Sequence, residues 1–172
     1  MRDIPMNKTF CILVADGSRA RFFTFESRAP ETGTTGPRLV EHEDRVNPEH
    51  ELAGRDKYNA TRTGAHPNPG KSQTHGYDDH RKQEEHEHER LFARDIARHA
   101  LDFTQQHQAA CLVVAAEKRM LGLLRDWLEP PPHPGIELRE LAADLTRLSP
   151  TELHNHLAEA RLIPALQARI SA

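Results

Sequence analysis

At 172 residues, with 37% hydrophobic and 28% charged residues, the chain has the length of one domain with a substantial core. A mean hydropathy of −0.74 is polar for a compact domain and leaves part of the chain solvated. A formal net charge of −3 and an isoelectric point of about 6.5 exclude a global electrostatic case for nucleic-acid binding.

Thr9 to Ala15 is a continuous apolar run of strand length, of the kind covered on both faces. Asp16-Gly17-Ser18 is turn chemistry, and Arg21 to Phe25 follows as an aromatic second strand of a hairpin. Residues 27–37, with Pro30, Gly33, Gly36 and Pro37, read as a loop. Arg38 to Val46 is a weak, polar strand suited to a sheet edge, where charge discourages unwanted pairing. From about Val46 to Lys82 the apolar pattern vanishes among prolines and glycines. This long polar loop, expected to be flexible, is the length of insertion that is usually functional or disordered.

Gln83 to about His107 is the longest predicted helix, with Phe92, Ile96 and Phe103 and small alanines forming its apolar stripe. Ala109 to Ala116 is a second buried strand, and Lys118 to Leu128 a short apolar helix ended by prolines. Ile136 to Leu141 is a half-polar strand. Ser149-Pro150-Thr151-Glu152 starts the last helix, with a Ser N-cap, Pro at N1 and Glu at N3; the helix runs to about Leu162 before Pro164. Cys11 and Cys111 each lie inside an apolar run, where cysteine packs as a small hydrophobe. No apolar run approaches membrane-spanning length, and residues 1–8 lack the apolar stretch of a signal peptide. The expected compartment is therefore the cytoplasm, with no membrane partner.

The predicted architecture is a single α/β domain, residues 1–172, with a mixed five-stranded sheet in the order βββαβαβα and a long polar loop inserted. That order is similar to ribonuclease H-like folds and to the middle domain of archaeal and eukaryotic peptide-chain release factors. Four segments carry a closer resemblance: residues 12–23 (ILVADGSRARFF), 89–97 (ERLFARDIA), 121–125 (LGLLR) and 144–153 (DLTRLSPTEL). Together they resemble the bacterial host-attachment proteins, described as proteins required for attachment to host cells. The resemblance implies a relation to the release-factor middle domain, and with it a connection to the ribosome or tRNA.

Release factors work through a Gly-Gly-Gln tip, and here the loop before the long helix reads Pro69-Gly70-Lys71-Ser72-Gln73-Thr74-His75-Gly76. Gln73 stands where the catalytic glutamine would, without the glycine pair, for a peptidyl-tRNA hydrolase-like reaction. A metal-dependent nuclease of the ribonuclease H-like type would instead need carboxylates at neighbouring strand ends, and Asp16, Glu117 and Asp144 are the candidates, with a glutamate of the long helix beside them. A divalent ion is the cofactor that chemistry would bring; otherwise none is expected. Seven of the twelve histidines fall between His42 and His88, and His75, His80 and His86 are the candidate metal ligands, although His-Glu-His-Glu is not the spacing that puts two imidazoles on one helix face.

Between Arg55 and Lys82, six basic residues stand against three acidic ones, a local +3 in a chain of −3. Arg55, Lys57, Arg62, Lys71, Arg81 and Lys82, extended by Arg19 and Arg21 of the first hairpin, are the candidate RNA contacts, with Tyr58 and Tyr77 for stacking. The leading expectation is a non-enzymatic host-attachment-family protein that binds RNA, tRNA or the ribosome through the loop. The alternatives are the nuclease and a protein-interaction module whose loop folds on a partner.

Overall fold

The computed structural model describes residues 8–26, 39–52, 75–129 and 134–165. Five strands form one mixed sheet: β1 (Thr9–Ala15), β2 (Arg19–Glu26), β3 (Leu39–Val46), β4 (Cys111–Ala116) and β5 (Glu137–Ala142). The helices are α1 (His75–Gln106), α2 (Lys118–Leu128) and α3 (Pro150–Glu159), with a short helical stretch at 48–52. The predicted α/β class and the strand and helix order are therefore present.

The spatial order is β3-β2-β1-β4-β5. β1, β2 and β3 form an antiparallel meander, while β4 lies parallel to β1 and β5 parallel to β4. β1 is central because its run of apolar residues satisfies both faces, and Phe10 through Ala15 are completely buried. β3, the polar strand, takes an edge; its register slips between Phe22 and Phe23, with His42 as the extra residue of a bulge that blunts the edge.

Side-chain alternation divides the core into two layers. On one face Leu13, Phe22 and Val114 pack under α1 (Phe92, Ile96, Phe103) and α2 (Met120, Leu124). On the other face Ile12, Phe25 and Val113 pack under α3 (Leu153, Leu157) together with Ile163. Cys11 belongs to the first layer and Cys111 to the second, and burial pushes both thiols up to about 12. They act as core residues.

Several boundaries differ from the sequence reading; β3 begins at Leu39 rather than Arg38, β4 at Cys111 rather than Ala109, and β2 runs one residue further, to Glu26. β2 begins at Arg19 rather than Arg21, because the Asp16 side chain closes the turn within three residues. α1 begins at His75, eight residues before Gln83; no proline or glycine interrupts Tyr77 to Gln106, and early acidic residues favour the positive end of a helix dipole. Together with the helical stretch 48–52, this narrows the predicted loop. β5 is shifted by one residue. α3 ends at Glu159 rather than near Leu162, because Arg161 takes a left-handed φ of 59° and closes the helix before Pro164 is reached.

The predicted cap of α3 is present in full. Ser149 accepts from the Glu152 backbone N–H, and the Glu152 carboxylate accepts from the Ser149 backbone N–H and hydroxyl.

Candidate functional site

Parallel pairing of β1, β4 and β5 brings three chain reversals to one edge of the sheet. Ala15 pairs with Ala116 and Ala116 with Ala142. Asp16 and Glu117 therefore leave adjacent strands side by side, and Asp144 follows two residues beyond β5. Such a carboxyl-end edge is where α/β sheets place their ligands.

Asp16 is firmly held. Its Oδ1 accepts from the Ser18 backbone N–H at 2.7 Å, the Ser18 hydroxyl at 2.8 Å and the Arg19 backbone N–H at 2.8 Å. Its Oδ2 lies 3.0 Å from the Thr146 hydroxyl, which is also 2.7 Å from Asp144 Oδ1. Thr146 is 1% exposed, so one buried hydroxyl proton is shared between two carboxylates. Burial pushes the Asp16 carboxyl up, but the bonds from Ser18, Thr146 and Arg19 prevail and hold it below its ordinary value.

Glu117 goes the other way. Burial raises its proton affinity first, then the negative charges of Glu89, Asp16 and Asp144, against a smaller pull from Arg119. Glu89 of α1 approaches so closely that a Cβ on Gly17 would meet its Oε1 at 3.0 Å. Its Oε2 is closed off from solvent and has no partner in hydrogen-bond geometry, although Arg119 Nη2 stands 2.8 Å away as an ion pair. Arg119 also contacts His86.

Arg21 seals the edge from below. It is 6% exposed, forks onto both oxygens of Glu41 at 2.8 Å, and donates to the carbonyls of Thr146 (3.0 Å) and Leu148 (2.7 Å). One guanidinium thus ties β2 and β3 to the turn that precedes α3. Arg19 pairs with Asp44. Both hairpin arginines, expected to extend a basic patch, spend their charge on internal acidic partners.

The expected trio Asp16, Glu117 and Asp144 is therefore brought to one place, and Glu89 is the helix glutamate beside it. Asp16 already accepts at both oxygens, Asp144 Oδ1 is occupied by Thr146, and among the described residues no group of three or more His, Cys, Asp or Glu is placed to hold a metal. Thr146 and the bracing role of Arg21 escaped the sequence reading. Asp144-x-Thr146 is a recognisable turn signature, but its union with Asp16 depends on pairing between residues 130 apart.

The histidine candidates are dispersed. His75 opens α1, so His80 and His86 obey helical rather than loop spacing: six residues place them about 120° apart and about 9 Å along the axis. His80 and His86 are exposed. Of the basic candidates, Arg81 and Lys82 are exposed on the first turns of α1. Arg55, Lys57, Tyr58, Arg62, Lys71 and Gln73 lie outside the described residues.

A family model described as "Protein required for attachment to host cells" matches residues 11–157. No curated protein matches the chain.

Proposed function

Because the chain belongs to the family of proteins required for attachment to host cells, we propose that it is a non-enzymatic binding protein that engages RNA, as tRNA or on the ribosome, through the polar segment ahead of α1. One observation carries this reading: residues 79–87 of α1 are exposed all round. A helix lying on its domain buries a residue every third or fourth position. These turns are instead exposed at every position, with His86 touching Arg119 of α2. α1 is a long helix of 32 residues, about 48 Å, and the segment 53–74, where the local positive charge is concentrated, directly precedes it in the chain. The element order shared with the release-factor middle domain, in which a helix similarly follows a functional loop, supports the same reading.

The test is binding of tRNA and of ribosomes at salt concentrations from about 50 to about 200 mM. Binding should weaken steeply with salt, and a Lys71→Ala, Arg81→Ala, Lys82→Ala variant should weaken it further and flatten the slope. Absent or salt-independent binding overturns the proposal and favours a protein partner. The carboxylate edge has no part in this reading: Asp16 and Asp144 brace the turns on which they stand.

A further inference from the structure

His154 is the residue the fold leaves least accounted for. It lies on α3 between Leu153 and Leu157, with no exposed surface, in the layer that covers the second face of the sheet. Both ring nitrogens are buried, and neither has a partner in hydrogen-bond geometry. The ring meets Phe25 edge to face at 5.1 Å between centroids. A neutral imidazole always has one N–H and one lone pair to satisfy, so complete enclosure without a partner is costly. An imidazolium there would be costlier still, with a full charge among Phe25, Leu157 and Ile163.

No neighbouring charge compensates, and among the described residues the Pro164 carbonyl is the one backbone group that engages the ring. The other ionisable residues of α3, Glu152, His156 and Glu159, are exposed. The charged residues of the elements beneath are Arg19 and Arg21 on β2, paired with Asp44 and Glu41 on β3, and Arg139 on β5, which pairs with Glu137 and donates to the Leu162 carbonyl. None of these charges bears on the ring. Burial lowers its proton affinity below the ordinary 6.5, and only the Pro164 carbonyl pulls weakly the other way.

We propose that His154 makes α3 an acid-released cover: a proton added to this buried imidazole detaches α3 and residues 160–165 from the sheet, while α1 and α2 stay docked on the opposite face. The two layers share only the sheet, so one can open without the other. The sign follows from linkage. The opened state takes up the proton near pH 6.5 and the closed state only at lower pH, so closure is fully favoured above 6.5 and is lost as pH falls below it.

Hydrogen exchange on the full chain at about pH 7.5 and about pH 5, corrected for intrinsic rates, tests this. Wild-type α3 amides should lose protection as pH falls below 6.5, by at most about tenfold per pH unit, with α1 and β4 amides changing far less. In His154→Phe and His154→Leu the α3 protection should stay flat. The proposal is overturned if those variants keep the wild-type fall, or if the wild-type fall is equal across the chain. Should neither variant fold, the ring proton resonances of His154 decide: a titration midpoint at or above 6.5 overturns the proposal, and one well below it supports it.

Discussion

Glu117 and Asp16 stand beside each other on adjacent strands, yet their proton affinities move in opposite directions, and the reason is the number of donors each one reaches. Asp16 collects Ser18, Arg19 and Thr146; Glu117 meets three other carboxylates and one arginine. Because the folded value of Glu117 is raised above its ordinary 4.5, the folded chain binds more protons in that window, and stability falls as pH rises through it. Glu117→Gln should therefore stabilise the domain at neutral pH, by less than about 1 kcal/mol because the group is partly exposed. The gain should vanish below about pH 4, as read by urea midpoints across pH. A loss on substitution would mean that Glu117 has a cationic partner in solution. The same pair shows what a residue-level reading can reach: the three carboxylates were legible as strand-end residues, but the Thr146 hydroxyl that ties two of them together has no signature until the sheet is assembled.

Two helices end in the same way with an unfavourable residue at the critical place. After α1, the Gln108 N–H meets the Gln105 carbonyl and the Ala109 N–H meets the Thr104 carbonyl, with Gln108 at φ 50°. After α3, Arg161 and Leu162 repeat the pattern onto Ala158 and Leu157, with Arg161 at φ 59°. Glycine is the usual residue there because a Cβ is strained at positive φ. Gln108→Gly and Arg161→Gly should each stabilise the domain by about 0.5–1 kcal/mol, read as a higher denaturation midpoint. Neutral or destabilising outcomes would show that the side chains contribute contacts worth more than the strain. Sequence patterning located the five strands and the three long helices, and the end of α1 to within a residue, but not the end of α3 or the helical stretch 48–52. Apolar periodicity reports which face is buried, whereas the α3 end is set by a left-handed residue that sequence does not mark. The start of α1 was hidden for a different reason: its first turns bury nothing, so no stripe exists to be read.

At the scale of the whole molecule, protection against cleavage should follow that same contrast. α1 is embedded from Phe92 to Phe103 and exposed from Asp79 to Glu87. Limited trypsin digestion should cut at Arg81 and Lys82 well before Arg94 or Arg98, since cleavage tracks local opening and the latter residues belong to the packed half. Equal rates at both ends of α1 would contradict the picture of a helix anchored at one half. The fold class was readable because buried β1 and β4 announce themselves as unbroken apolar runs. The candidate edge was only half readable, because its carboxylates are adjacent in space but separated by most of the chain.

The central place of β1 also has a consequence for biosynthesis. β2 and β3 emerge from the ribosome within a few dozen residues of β1, but β4, which closes its other edge, lies about a hundred residues later. At about 5–20 residues per second, that edge of β1 waits roughly 5–20 s for its partner. Throughout that interval the nascent chain carries an open, wholly apolar strand edge, the kind that pairs with foreign strands. Expression at lower translation rates should therefore worsen the yield of soluble protein unless a chaperone covers the meander, and the long polar segment is what the ribosome must finish before the sheet can close.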